Sequence, residues 1–274
     1  MTLLNVDSEK CDRDGICIDV CPARIIAFKA DDGFPGMIDG GDALCVRCGH
    51  CVAVCPRMAM SHQSIPAEDC PPVRPELLPT AEQAEHFLRS RRSIRVYKNK
   101  KVERELLSRL IHVARFAPSG HNLQPVEWHV LYDSRQVDSL AGLVIDWMRR
   151  LVKDRSPLAE MMHLDLVAQS WDEGTDRVFR GAPHLVIAHA HKDNRTAQAA
   201  CTIALTYLEL MAPVVGLGAC WSGYLFTASQ QWPPILEALA LPEEHQVFGA
   251  MMVGYSRYRY HRLPPRNQPR ITWE

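Results

Sequence analysis

Seven of the chain's ten cysteines fall within its first 55 residues, and they recur with a period of 34. Cys45, Cys48, Cys51 and Cys55-Pro56 spell C-x2-C-x2-C-x3-C-P, and 34 positions earlier stand Cys11, Asp14, Cys17 and Cys21-Pro22. Four thiolates at this spacing are the ligand pattern of a cubane iron–sulfur cluster. Two such runs in tandem imply two clusters close together, and a chain that moves electrons one at a time. Structural zinc would call for two pairs of ligands separated by a dozen or more residues. A disulfide framework would need a secreted context and would leave an odd cysteine over.

The elements that must position these ligands are short loops. The first three ligands of each run sit on a tight loop that wraps one cluster, and the proline after the fourth ends it. In two-cluster ferredoxins the fourth cysteine reaches the neighbouring cluster. By that pattern Cys11, Asp14, Cys17 and Cys55 hold cluster I, and Cys45, Cys48, Cys51 and Cys21 hold cluster II. Asp14 stands in the repeat where Cys48 stands, as Gly15 matches Gly49. A carboxylate is a harder ligand than thiolate and holds iron less tightly. Cluster I is therefore a [4Fe-4S] cluster with one oxygen ligand or a [3Fe-4S] cluster with that corner open, unless Asp14-Gly15 is only a turn.

The chain has 274 residues, room for two domains. Hydrophobic content of 47% and charged content of 23% are ordinary for a globular protein, and a net charge of −1 gives no sign of a nucleic-acid partner. The N-terminal segment carries neither a basic stretch nor a long apolar run, so no signal peptide is expected. Cluster thiolates call for a reducing compartment, and a cytoplasmic location is expected. The apolar stretch from Cys201 to Cys220 is long enough to raise a membrane span, but Glu209 and Pro213 interrupt it. A helix buried in a core or a dimer interface is the expectation, with no membrane partner.

Residues 61–79 carry five prolines and read as an extended, semi-rigid linker. Thr80-x-x-Gln83 is a capping box that starts a helix. The expected organisation is an iron–sulfur domain over 1–60, the linker, and a second domain over 80–274. In that domain Leu106, Leu107, Leu110, Ile111 and Ala114 recur at helical spacing, as do Leu140, Val144, Trp147, Met148 and Leu151. Residues 126–132, 184–190 and 247–255 read as strands, so the expected class is α+β with layered helices and sheet.

Three further segments could bind a ligand. Arg91-Arg92-Ser93-Ile94-Arg95 gathers three guanidiniums and a hydroxyl, suited to a phosphate. The loop from Ala117 to Pro125 holds Ser119, Asn122 and Gln124, whose amides could meet a heterocycle edge or satisfy turns. Gly216 to Gly223 includes Trp221 and Ser222, with glycines that admit a ligand to the backbone or end a helix. Neither G-x-G-x-x-G nor a P-loop occurs.

In their order, R-R-S-I-R, A-P-S-G-x-N-x-Q-P, G-L-G-A-C-W-S-G, Val253-Gly254-Tyr255 and Pro264-Pro265-Arg266 resemble the nitroreductase family. With the N-terminal cysteines, the chain resembles a ferredoxin–nitroreductase fusion. The resemblance implies a ferredoxin-like two-cluster domain followed by an α/β sandwich, an intertwined homodimer, and FMN at its interface. It assigns Arg91, Ser93 and Arg95 to the flavin phosphate, ribityl and ring end, and places Asn122 against the ring. Ser222 and Gly223 would supply backbone contacts, and Arg266 would complete the phosphate site. A second basic residue common before that arginine in the family is replaced here by Pro264-Pro265.

Clusters pass single electrons, whereas a flavin accepts them singly and delivers two as a hydride. The expected function is an FMN-dependent oxidoreductase that takes electrons from a ferredoxin-type donor. Its substrate would be a small electron-poor molecule such as a nitroaromatic, quinone or activated alkene. A non-catalytic electron carrier and an NAD(P)H-driven flavin reductase with accessory clusters are the alternatives. No side chain is assigned as catalytic; His121 is the best local candidate for a proton donor.

Overall fold

The computed structural model describes residues 3–274. They fall into two compact units. The first runs to Leu78 and takes in the turn Gly120–Leu123; the second comprises Pro79–Ser119 and Gln124–Glu274.

The first unit consists of strands β1 (Leu4–Val6), β2 (Ile26–Phe28), β3 (Pro35–Met37) and β4 (Met60–His62), with one-turn helices α1 (Ile16–Asp19) and α2 (His50–Ala53). β1 pairs with β4 and β2 with β3, both antiparallel. The 34-residue repeat is visible in three dimensions, because β2 and β4 are equivalent by it and so are the caps of α1 and α2. Those caps are Gly15 at φ 75° and Gly49 at φ 73°. A residue with a Cβ is strained there, so glycine is what lets each cysteine loop turn sharply into its helix. Cys17, Ile25, Ile26, Val52 and Met60 form a small shared core.

The first unit extends well past residue 60, into the expected linker. Ser61 and His62 belong to β4, His62 bridges to Ile65, and Ala67 is buried. The Pro66 carbonyl accepts from Asp69 N at 3.1 Å and from the Cys70 thiol at 3.5 Å. The prolines thus stiffen the tail of the first unit, and its boundary with the second lies at Pro79.

The second unit is α+β. Its helices are α3 (Ala81–Ser90), α4 (Arg104–Ala114), α5 (Ser134–Lys153), α6 (Pro157–Met161), α7 (Leu164–Asp172), α8 (Ala197–Val214), α9 (Gly223–Ser229) and α10 (Pro233–Leu239). Its strands are β5 (Glu127–Leu131), β6 (His184–His191), β7 (Gly218–Trp221) and β8 (His245–Gly254), in the order β5-β6-β8-β7, all antiparallel. The expected helices and strands occur within a few residues of their predicted bounds. Thr80 caps α3 as expected, with Thr80 N donating to Gln83 Oε1 at 2.9 Å and Gln83 N to Thr80 Oγ1 at 3.3 Å.

Helices cover both faces of the sheet. Leu185 and Ile187 of β6 pack with residues of α5, α7, α9 and α10. Val186, Ala188 and Ala190, one pleat away, pack with α4 and α8. Side chains alternate faces along a strand, so a strand buried on both is apolar on both, which explains the run from Leu185 to Ala188 in β6. α8 passes the length and composition test for a membrane span. Its Ala200, Cys201, Ala204, Leu205 and Leu208 are nonetheless buried against the sheet and α4.

Leu205 is fully buried and lies over Gly249. Leu205→Ala is expected to cost the second unit about 2–5 kcal/mol through lost burial and a residual cavity. Urea unfolding followed by tryptophan fluorescence reads it; a midpoint equal to wild type would contradict the two-faced packing.

Candidate functional site

The first unit holds two cavities, and each gathers four of the expected ligands. One is lined by Cys21, Cys45, Cys48 and Cys51 and the other by Cys11, Asp14, Cys17 and Cys55. Each cavity thus draws its fourth cysteine from the other run. All of these cysteines are free thiols. Burial pushes the Cys51 thiol up to about 11 and also raises Cys17. A metal would hold such thiols as thiolates, and two groups of four soft-to-hard donors, seven of the eight being cysteines, fit iron–sulfur clusters.

Asp14 lines its cavity and also accepts from Ile16 N at 3.2 Å. One hydrogen bond does not exhaust a carboxylate, which has two oxygens. The turn and the ligand reading of Asp14 are therefore compatible. Asp12 and Arg57 line the same cavity and pair at 3.6 Å. The other cavity is lined instead by Arg47, His50 and His62.

His62 was not singled out in the sequence. Burial, with the Arg47 charge nearby, holds its imidazole below the usual range. Its Nε2 lies 3.8 Å from Cys45 Sγ, and its Nδ1 lies 3.0 Å from Ser64 N and 2.9 Å from Ser64 Oγ. The only sequence signal for it is a histidine 17 residues past Cys45, which proximity in the fold alone makes meaningful.

In the second unit, two segments about 120 residues apart meet. Ile94 N donates to Ala219 O at 2.9 Å, which lays the arginine segment along β7. A Cβ at Gly218 would sit 2.6 Å from Ile94 Cγ1, so glycine is what permits this approach. Arg95, Ser93, Cys220 and Glu209 lie together here, and burial raises the Cys220 thiol, leaving it protonated and inert.

The three guanidiniums do not act as one group. Arg91 Nη1 donates to Glu209 Oε1 at 2.8 Å, and the Glu209 side chain is only 6% exposed. Arg92 donates to the carbonyl oxygens of Arg91 and Arg89, at the end of α3. Among the described residues Arg95 has one hydrogen bond, a long one to Ser93 O at 3.5 Å, and it is exposed, so of the three guanidiniums it is the most open to an anion. Glu209 marks the sequence's missed counter-charge: a lone acid in an apolar helix signals a buried ion pair. Ser222 Oγ is buried without a partner, at the point where β7 hands over to α9. Such an orphan hydroxyl is rare in a finished core and suits a bound polar group. Trp221 packs over Gly249, and Gly223 is exposed beside Ser222.

The remaining residues lie elsewhere. Ser119 and Gln124 line a cavity with Arg115, Trp128, Ala200 and Ala204, and Gln124 N donates to Ser119 Oγ at 2.9 Å. Asn122 belongs to the first unit, where its Nδ2 donates to Val46 O at 3.2 Å and Arg47 O at 2.9 Å. The neighbouring His121 is exposed, with φ 51°. Arg266 is exposed in the irregular C-terminal segment and is not brought to Arg95 or Ser93 by any contact among the described residues.

Residues 88–255 match the profile of the nitroreductase family. The chain belongs to that family. Residues 3–56 match a 4Fe-4S dicluster domain, so a nitroreductase domain here follows a ferredoxin-like one. A putative NADH dehydrogenase/NAD(P)H nitroreductase of Archaeoglobus fulgidus is 24% identical over 176 residues, covering 64% of this chain and 87% of that one. A Bacteroides fragilis nitroreductase with bound FMN superposes with a TM-score of 0.58 at 22% identity, over 69% of this chain and 98% of that one. A Desulfitobacterium hafniense nitroreductase with bound FMN superposes with a TM-score of 0.54 at 21% identity, over 69% and 96%. At these identities the nitroreductase structures establish the fold.

Two outcomes follow. Anaerobically purified chain should carry about eight irons, or about seven if the Asp14 corner is open, and Asp14→Cys should keep about eight through mild oxidation that strips one from wild type. Equal iron counts and EPR signals in both proteins after oxidation would refute Asp14 as the labile ligand. Arg91→Ala should destabilise the second unit by about 1.5–3 kcal/mol, the worth of a hydrogen bond to a charged group, by stranding Glu209. An unchanged urea midpoint would show the pair to be dispensable.

Proposed function

We propose that this oxidoreductase is FMN-dependent, takes single electrons through two iron–sulfur clusters, and reduces a small electron-poor organic molecule. Nitroaromatics, quinones and activated alkenes are the substrate classes. The observation that carries the reading is the pair of crossed four-ligand cavities in the same chain as a nitroreductase domain. A paired-cluster unit has one use, single-electron transfer, and FMN when bound would turn single electrons into a two-electron reductant. FMN stands bound in the related nitroreductases of B. fragilis and D. hafniense.

The chain's own residues supply binding and orientation. Arg95 offers a free guanidinium to the phosphate, and a charge-assisted bond there is stronger than a neutral one. Ser93 lies beside it, and Ser222 Oγ offers an unused hydroxyl from a dry position. Arg91 serves less as an anion ligand than as the counter-charge of Glu209, which holds α8 to the arginine segment. The thiolate ligands require reducing surroundings, which favours the cytoplasm. The protein works as a homodimer: Tyr207 and Val214 of α8 and Tyr258, Tyr260 and Trp273 of the C-terminal segment leave apolar surface for a second copy to cover.

The electron donor is a reduced ferredoxin-type protein. The name of the A. fulgidus relative favours a second reading, in which NAD(P)H is the donor. Stopped-flow under anaerobic conditions separates them. Reduced ferredoxin should bleach the flavin in the full chain, and a variant with Cys45, Cys48 and Cys51 changed to serine should lose that rate while keeping reduction by dithionite. Fast bleaching by NADH alone would favour the second reading, and equal ferredoxin rates in both proteins would sink the first. Arg95→Ala should weaken FMN affinity by about ten-fold, with an unchanged urea midpoint. Release of FAD, or of no flavin, on gentle denaturation would overturn the flavin assignment.

A further inference from the structure

We propose that His62 is a positioning residue for cluster II: its Nε2–H donates to Cys45 Sγ and makes that cluster easier to reduce than its four thiolates alone would. The proposal rests on the two-cluster reading of the first unit.

The direction of the hydrogen bond follows from geometry. His62 ends β4, and Ile65 N donates back to His62 O at 2.9 Å, closing a tight turn. Within that turn Ser64 N lies 3.0 Å from His62 Nδ1. A backbone amide can only donate, so Nδ1 is the acceptor and carries no proton. The imidazole's one remaining proton is then on Nε2, the atom 3.8 Å from Cys45 Sγ. The Ser64 hydroxyl, 2.9 Å from the same Nδ1, reinforces this tautomer. His62 is 3% exposed and lines the cavity of Cys21, Cys45, Cys48 and Cys51, so its ring is largely shielded from water that would compete for the Nε2 proton.

The effect has a definite sign. Reduction adds one electron from a one-electron donor and moves no proton, so the negative charge on the ligand sulfurs grows. A fixed N–H donor stabilises the more negative state, and the potential rises. The effect is also confined to one site. In the 34-residue repeat the counterpart of His62 is Phe28, and that of Ser64 is Ala30. Phe28 has no donor, is 49% exposed, and lies against Gly15. The cavity of Cys11, Asp14, Cys17 and Cys55 therefore has no equivalent hydrogen bond from this strand. That cavity has its own donor, Ala59 N to Cys55 Sγ at 3.2 Å, but that is a backbone amide, so His62 is a side-chain difference between the two sites, added to that of Asp14 and Cys48.

The test is an anaerobic potentiometric titration of the full chain followed by EPR, with cluster I identified by the signal that Asp14→Cys alters. His62→Leu should lower the reduction equilibrium of cluster II about ten-fold, or about 59 mV for one electron, and leave cluster I unmoved. His62→Gln keeps an N–H donor and should restore most of the loss. Wild-type protein labelled with 15N-histidine should also show a weak nitrogen coupling on the reduced cluster II signal. An unchanged cluster II potential in His62→Leu would overturn the proposal, as would equal shifts of both clusters. A His62→Gln value as low as that of His62→Leu, or no nitrogen coupling in wild type, would overturn it too. A wild-type chain with no second cluster signal at all would instead overturn the two-cluster reading on which it stands.

Discussion

An ionised group removed from water needs a partner at close range, and both units are organised around that requirement. In the first, seven cysteines and Asp14 are gathered around two cavities, and burial raises the thiols of Cys17 and Cys51. The apolar core of this unit is small, so clusters bound there would add to its stability. In the second unit the same requirement appears as Arg91 and Glu209. A carboxylate in the middle of α8 is tolerable only because a guanidinium from the far end of the chain segment reaches it. That one pair fixes the arginine segment against α8, and the Ile94–Ala219 hydrogen bond fixes it against β7.

The first unit shows how a duplicated frame becomes asymmetric. Its two halves keep the glycine caps, the helical turns and the crossing cysteines. They differ where the chemistry is tuned. One half has Asp14 where the other has Cys48, and one has Phe28 where the other has His62. The polar neighbours differ too: Asp12 and Arg57 neutralise each other beside one cavity, while Arg47 and His50 line the other. Cluster potentials respond to hydrogen bonds and local charge, so substitution at a few positions can differentiate the two sites without altering the fold.

In the second unit the sheet is covered on both faces, and this decides where a ligand can be admitted. β6 and β8 are the central strands and are buried over most of their length, with His184 and His189 the buried polar side chains of β6. β7 lies at the edge, is short, begins with glycine and ends at Ser222 with an unused hydroxyl. The edge strand is thus where backbone and polar side chains remain available, and the arginine segment lies along it.

The sequence by itself named the residues that gather around the two cavities, because cubane ligation is a local pattern: ligand identity and spacing carry the information, and the ferredoxin pattern supplies the crossing between the runs. The helices and strands of the second unit were legible for a similar reason, since periodic burial leaves periodic residues. Tertiary structure decided which arginine is free. Arg91, Arg92 and Arg95 are equivalent in a basic run, and only the positions of Glu209 and of the α3 carbonyls distinguish them. It also decided the fate of Asn122, whose amide is spent on Val46 and Arg47. His62 is the sharpest case. No spacing rule marks a histidine 17 residues past a cysteine. It matters because a turn presents Ser64 N to one ring nitrogen and a neighbouring loop presents Cys45 to the other. Hydrogen-bond direction is a property of three atoms in space, and sequence does not encode it until the chain has folded.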